Sequence, residues 1–96
     1  MTDKRVAIVT GASSGIGWAT AKRLAGEGLC VLANYVGNVQ GAASAVEACK
    51  ANGADAIAVQ GNVAEDADCQ RIVNEALDRW GRVDVLVNNA GTTKIA

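Results

Sequence analysis

The sequence predicts an α/β fold in which helices cover both faces of a parallel sheet. Apolar runs typical of buried strands alternate with apolar residues at helical spacing along the whole chain, in the order βαβαβαβ. A turn that contains three glycines joins the first strand to the first helix, and no proline interrupts any element. A doubly wound sheet of this kind is expected to have the strand order 3-2-1-4.

Two sequence patterns predict the elements: continuous apolar runs predict the strands, and apolar residues at helical spacing predict the helices. Strands are expected over residues 5–10, 29–35, 55–59 and 83–88, where apolar and β-branched residues run together. The buried stripes of the helices between them are Ile16, Thr20, Ala21 and Leu24; Val39, Ala42, Ala43, Val46 and Cys49; and Cys69, Ile72, Val73, Ala76 and Trp80. Gly28, Asn52-Gly53 and Gly81 are expected to end these helices. Glu75 and Arg79 are spaced for an ion pair on the third.

The fourth strand predicts that the fold continues. In the order 3-2-1-4 it lies at an edge, yet Val85, Leu86 and Val87 make it apolar on both faces, whereas edge strands normally carry charge or proline. We expect a further strand to pair with it. We therefore expect residues 1–96 to be the N-terminal part of a single larger domain.

Composition limits the classes of protein that fit. Nine basic and ten acidic residues give a formal net charge of −1 without a charged block, which favours neither nucleic acid nor a membrane as partner. Histidine is absent, and Cys30, Cys49 and Cys69 are widely spaced at apolar positions, so we expect buried thiols rather than a metal site. The first apolar run has only four residues, too few for a signal peptide or a membrane span, which favours a cytoplasmic location.

The glycine-rich turn, with the sequence Thr-Gly-Ala-Ser-Ser-Gly-Ile-Gly over residues 10–17, predicts a dinucleotide site. Gly11, Gly15 and Gly17 would let the backbone approach a pyrophosphate, and the helix N-terminus supplies N–H groups and positive potential. Ser13 and Ser14 could donate hydroxyls to phosphate or ribose, or cap the helix. The glycines could also serve the geometry of the turn alone. No Gly-Lys-Ser/Thr follows, which excludes a P-loop.

A second motif, Asn-Asn-Ala-Gly over residues 88–91, ends the fourth strand, where open α/β sheets bind ligands. Together the two motifs resemble those of the short-chain dehydrogenases/reductases, and the resemblance spans essentially the whole chain. It implies a Rossmann-type fold and hydride transfer between a nicotinamide cofactor and a small carbonyl or alcohol substrate. It also implies a homo-oligomer at full length. The predicted cofactor contacts at and around these motifs are Gly11, Ser13, Ser14, Gly15, Ile16, Gly17, Asn89, Ala90 and Gly91.

The end of the second strand bears on the choice of cofactor. An acidic residue there would bind the adenosine ribose and repel a 2′-phosphate. We expect the neutral Asn34 to face the ribose and, with Tyr35, to favour NADP(H) over NAD(H). The family's usual phosphate-binding Arg or Lys is missing, so backbone N–H groups, Asn34, Tyr35 and Asn38 could serve instead. Asn34 could also simply end the strand.

After the third strand the family usually has Asp-Val, whose carboxylate accepts a hydrogen bond from the adenine amino group. Here Asn62 and Val63 take these places, and the Asn62 carbonyl could accept the same bond or cap the next helix. Residues 34–38 resemble the 3-oxoacyl-acyl-carrier-protein reductases within the family. Residues 92–94, Thr-Thr-Lys, depart from their Thr-Arg-Asp, so the substrate class stays open.

The resemblance places catalysis after the second motif. Family members use a Tyr as general acid, a Lys four residues later and a Ser. The one tyrosine here is Tyr35, and Val39 stands four residues after it, so no catalytic residue is assigned within the 96 residues. The alternative is a stand-alone nucleotide-binding or regulatory module.

Overall fold

The computed structural model describes residues 2–89 and contains the predicted elements in the predicted order. They are β1 (Val6–Val9), α1 (Gly15–Gly26), β2 (Cys30–Tyr35), α2 (Val39–Ala51), β3 (Ala56–Gln60), α3 (Asp66–Trp80) and β4 (Val85–Val87). The strands form one parallel sheet in the order β3-β2-β1-β4. The α/β class and the strand order are therefore confirmed.

Each helix ends one or two residues before the glycine that the sequence indicates. Gly28, Gly53 and Gly81 follow α1, α2 and α3 with φ values of +95°, +85° and +80°. Residues with a Cβ adopt this left-handed region at a cost, which is why glycine is favoured just after a helix. These glycines turn the chain back toward the sheet.

The fourth strand is shorter than the predicted range 83–88. At its start the Asp84 carboxylate accepts from the Val6 N–H at 2.8 Å, in place of a strand carbonyl. At its end the Thr10 hydroxyl accepts from the Asn89 N–H at 2.8 Å. Side chains therefore take one main-chain bond at each end, beside the main-chain bonds from the Asp84 N–H to Val6 and from the Thr10 N–H to Val87, and regular pairing covers the three residues of β4.

The sheet has an apolar layer on each face. Helices α1 and α2 pack side by side on one face, over a layer that includes Val31 and Ala33 of β2. Helix α3 covers the other face, over a layer that includes Cys30 and Leu32. Successive residues of β2 thus point to opposite faces, as the pleat requires. Cys30 and Cys49 are buried as predicted, whereas Cys69 is only half-buried.

Strand β4 lies at one edge of the sheet, next to β1. Leu86 of β4, at the edge, is 64% exposed.

Among residues 2–89, no helix combines the length and the apolar character needed to cross a bilayer.

One predicted ion pair is wrong. Arg79 contacts not Glu75 but Asp55, with two hydrogen bonds of 2.9 and 3.1 Å, and the Trp80 indole N–H donates to the same carboxylate at 2.8 Å. A planar guanidinium matches a carboxylate in this two-pronged way, which a neighbour one helical turn away does not guarantee. The contact holds the end of α3 against the start of β3.

Candidate functional site

The candidate site lies along the carboxyl ends of the four strands. Four segments meet at this edge: the β1–α1 turn, the β2–α2 loop, the β3–α3 loop and the residues that follow β4. A parallel sheet brings these segments together because all its strands run in one direction. The sequence placed its candidate contacts on the same four segments.

Gly15 and Gly17 have different roles in the turn. Gly15 is exposed with φ +59°, and a Cβ built on it has no described atom within 4 Å. Gly17 is buried, and a Cβ there would overlap the Gly11 carbonyl oxygen and lie 2.7 Å from the Asn89 side-chain nitrogen. Gly17 therefore permits close packing of the turn, whereas Gly15 keeps open the space in front of it.

The N-terminus of α1 presents N–H groups to that open space. Ser14 is the N-cap, and within residues 2–89 its side chain makes no capping hydrogen bond, so the capping role considered for it is not found. The N–H groups of Gly15, Ile16 and Gly17 have no intrahelical acceptor at this position of a helix. The first turn of α1 has no acidic residue, and Ile16 is 78% exposed. The residues present fit the pyrophosphate of a dinucleotide.

The second motif is tied to the first through Thr10. The Thr10 hydroxyl accepts from the Asn89 N–H at 2.8 Å and lies 3.2 Å from the Val87 carbonyl oxygen. The Asn89 side chain donates to the Gly11 carbonyl at 3.2 Å. Asn89 is therefore placed beside the turn as expected, with its amide directed to the backbone. Ala90 and Gly91, which the sequence also assigned to the site, lie outside the described residues.

The Asn34 side chain, which the sequence predicted to face the ribose, points into the protein interior in this structure. Asn34 is fully buried on the α3 face of β2, where its amide donates to the Gly61 and Val59 carbonyls at 3.0 and 3.2 Å. Its side-chain oxygen accepts from the Gly11 N–H at 3.4 Å. The physical reason is the pleat, which directs the next residue, Tyr35, to the opposite face. Tyr35 is half-buried and is the last residue of β2.

Asn62 organises the loop before α3. Its side chain is exposed, its side-chain oxygen accepts from the Ala64 N–H at 2.9 Å, and its own N–H donates to Asp68 at 2.8 Å. That bond, followed by the nearby Arg71, holds the pKa of Asp68 below its ordinary value. The N-cap of α3 is Glu65, so Asn62 does not cap the helix directly. A carbonyl oxygen has two lone pairs, and the second remains for a ligand.

A cavity of about 490 Å³ opens at this edge on the α3 face. Its lining is mainly apolar, and Val63 and Ile72 contribute to it together with Val36 and Leu86. Thr10, Asn62 and Asn88 add polar groups. An apolar pocket with a few polar groups at such an edge suits a ligand with a flat ring.

Sequence reasoning missed how closely α2 approaches the turn. Asn38 is the N-cap of α2, accepting from the Gly41 N–H at 2.9 Å, and its amide donates to the Ser13 carbonyl at 3.4 Å. A Cβ on Gly41 would overlap that carbonyl oxygen. An Asn followed three residues later by Gly, at the start of a helical pattern, is the signal that could have indicated this contact.

Known proteins match this chain over most of its length. A family model described as short chain dehydrogenase matches residues 5–96. A 3-oxoacyl-acyl-carrier-protein reductase of Synechocystis sp. is similar, with 49% identity over 90 residues, which are 94% of this chain and 36% of that protein. The chain spans 36–37% of the length of these curated relatives, a protein of Methylorubrum extorquens and reductases of Synechocystis sp. and Staphylococcus epidermidis.

Solved structures of short-chain dehydrogenases and of a ketoreductase also resemble this chain. A Serratia marcescens short-chain dehydrogenase/reductase variant superposes with a TM-score of 0.87 at 37% identity, covering 96% of this chain and 38% of that one. A variant of actinorhodin polyketide ketoreductase with NADPH gives a TM-score of 0.85 at 39% identity, covering 94% and 34%. The family match, extending over nearly the whole sequence, shows that this chain belongs to the short-chain dehydrogenase family.

Proposed function

We propose that this chain is the cofactor-binding part of an NAD(P)-dependent oxidoreductase. The enzyme would transfer a hydride between a nicotinamide cofactor and a small carbonyl or alcohol substrate. One observation carries the proposal: the glycine-lined space in front of the N-terminus of α1, which is open and without a side-chain cap as far as residues 2–89 are concerned, in a chain of this family. A pyrophosphate is the anion for which such a turn is suited.

The described residues would hold the cofactor as follows. The N–H groups of Gly15, Ile16 and Gly17 would bind the pyrophosphate, with the Ser13 and Ser14 hydroxyls near it. Asn62 and Val63 would border the adenine. Asn89, held by Thr10 and Gly11, would keep the end of β4 beside the turn. When bound, the nicotinamide supplies or accepts the hydride.

We propose NADP(H) as the preferred cofactor. Support comes from the end of β2, where residues 34–41 contain no carboxylate that would repel a 2′-phosphate. The 39% identical ketoreductase, whose structure was determined with NADPH, supports the same choice. Because Asn34 is buried, the exposed face of Tyr35 and the start of α2 are left to meet the 2′ position.

The whole protein would contain further functional parts. The proton donor for the substrate would come from residues after position 91, and a homo-oligomer is implied by the family resemblance. The three free cysteines support a reducing, cytoplasmic location. We expect the 96-residue chain by itself to have no reductase activity, because it has no Tyr-x-x-x-Lys pair and no histidine.

Titration of the full gene product with NADPH and NADH tests the proposal, followed by turnover assays on small ketones, acyl thioesters and sugars. We expect binding of both cofactors, tighter for NADPH, and oxidation or reduction of at least one substrate class. Binding without turnover would favour the stand-alone nucleotide-binding module. Failure to bind either dinucleotide would refute the proposal, and turnover by the 96-residue chain alone would refute our assignment of the catalytic residues.

A further inference from the structure

Asn34 is an unusual residue for its place in the sheet. Among residues 2–89, Asn34 and Thr10 are the buried polar residues, and Asn34 is 0% exposed. It continues the series of Cys30 and Leu32, which belong to the apolar layer under α3. Burying an amide in such a layer is costly unless its donors and acceptor find partners. A valine or alanine would fit the pattern of β2 without that cost.

The partners of Asn34 belong to three different segments of the candidate site. Its amide nitrogen donates to Val59 in β3, at 3.2 Å, and to Gly61 in the β3–α3 loop, at 3.0 Å. Its side-chain oxygen accepts from Gly11 in the glycine-rich turn at 3.4 Å. Within residues 2–89 every buried side-chain nitrogen or oxygen has a partner, so neither polar atom of the amide is left unpaired.

The main chain of Asn34 reinforces the same junction. Its carbonyl accepts from the Ala12 N–H at 2.8 Å, so the turn is attached to this residue through both main chain and side chain. Gly61 is itself bonded to β2, since its N–H donates to the Tyr35 carbonyl at 2.9 Å. A single side chain therefore bridges the turn proposed for the pyrophosphate and the loop proposed for the adenine.

We infer that Asn34 is a positioning residue for the adenosine half of the cofactor. It sets the distance between the glycine-rich turn and the Gly61–Asn62 loop, and it does not read the 2′ position of the ribose. The inference rests on the proposed function. It requires that loss of the bridge weaken the binding of NADPH and NADH by the same factor.

Two substitutions of Asn34 weaken its hydrogen bonds to different degrees. Asn34→Asp keeps the shape and the acceptor but turns the donor into an oxygen that faces the Gly61 and Val59 carbonyls, which it would repel. Asn34→Thr keeps one hydroxyl, which can donate to one of these carbonyls, in a side chain suited to a strand. Val6→Ala is the matched control, because Val6 is fully buried in the same apolar layer but lies at the other end of the sheet.

The experiment measures the Kd of NADPH and of NADH, together with the Tm, for the full gene product and the three variants. We expect Asn34→Asp to raise both Kd values about tenfold or more, with their ratio unchanged within twofold. Asn34→Thr should raise both by a smaller factor, which keeps the test valid if the first variant does not fold. Val6→Ala should lower the Tm and leave both Kd values unchanged.

Hydrogen exchange supplies a second measurement. We expect Asn34→Thr, but not Val6→Ala, to speed exchange of the amides in residues 11–17 and 61–64. A change of fivefold or more in the NADPH-to-NADH ratio would show that Asn34 reads the ribose and would overturn the inference. So would unchanged Kd values in a variant whose Tm has fallen. If the unsubstituted protein binds neither cofactor, the proposed function fails and this inference fails with it.

Discussion

Gly15 offers a direct test of the turn, because its side of the loop is open. With φ at +59° and nothing described within 4 Å of an added Cβ, Gly15→Ala meets backbone strain but no steric overlap inside the protein. An alanine in the left-handed region costs about 1–2 kcal/mol. For a domain of 150–250 residues, each kcal/mol lowers the Tm by roughly 2–4 °C, so we expect a loss of about 2–8 °C.

The effect on binding should exceed what this strain explains. The added methyl group would occupy the space in front of the α1 N–H groups, through which we expect the pyrophosphate to approach. We expect the Kd of NADPH to rise at least tenfold, which corresponds to about 1.4 kcal/mol. Isothermal titration calorimetry and thermal melting measure the two effects on the same sample.

Gly53→Ala is the control for the strain. Gly53 also has positive φ, +85°, and no described atom within 4 Å of an added Cβ, but it follows α2 at the opposite edge of the sheet. We expect it to lower the Tm by a similar amount and to leave the Kd unchanged. Unaltered NADPH affinity in Gly15→Ala, or an equal loss of affinity in Gly53→Ala, would refute the assignment of this turn to the pyrophosphate.

Three further predictions concern single side chains. Thr10→Val should destabilise the protein by about 0.5–1.5 kcal/mol, because the Asn89 N–H loses the shorter of its two hydrogen bonds and keeps the one to the Val87 carbonyl at 3.1 Å, whereas Thr10→Ser should cost much less; denaturant melts measure both. Tyr35→Asp should shift the ratio of kcat/KM values toward NADH by tenfold or more, since a carboxylate there would repel a 2′-phosphate; an unchanged ratio would remove Tyr35 from the ribose site. Hydrogen bonding to Arg79 lowers the pKa of Asp55 from its ordinary 3.8, so this carboxylate stabilises the fold above that pH and the contribution is lost as the pH falls through the lowered pKa. The Tm advantage of the unsubstituted protein over Asp55→Asn should therefore be small, as for a half-exposed pair, and should disappear on acidification below about pH 4; persistence in acid would exclude this carboxylate as its source.

Much of the fold follows from local patterns. Periodicity placed all seven elements, and the glycines after α1, α2 and α3 marked the ends of the helices, because a left-handed residue is a local requirement. The bounds of β4 did not follow, since the hydrogen bonds at its two ends join Asp84 to Val6 and Asn89 to Thr10, which are far apart in sequence. The partner of Arg79 lies 24 residues away in Asp55, where a local rule suggested Glu75.

The orientation of Asn34 shows why part of the site could not be predicted. Sequence patterns reveal which face of a strand is buried when polar and apolar residues alternate. In β2 the first five residues are all buried, because helices cover both faces, so no alternation distinguishes Asn34 from Tyr35. The position of both residues at the carboxyl end of the strand was predictable, but which of them points toward a ligand was not.

The carboxyl edge of this sheet is built from neutral groups. Residues 10–17, 34–41, 61–64 and 88–89 contain no Asp, Glu, Lys or Arg. An amide can donate and accept at once, so Asn34 joins an N–H of the turn to a carbonyl of the next loop, which a carboxylate cannot do. A carboxylate would also place negative charge beside the N–H groups proposed for the pyrophosphate. At such an edge, loss of the Asn34 amide should weaken the binding of both cofactors alike, because it alters the shape of the site. Addition of an exposed charge at Tyr35 should instead change which cofactor is preferred, because only NADP(H) carries the 2′-phosphate.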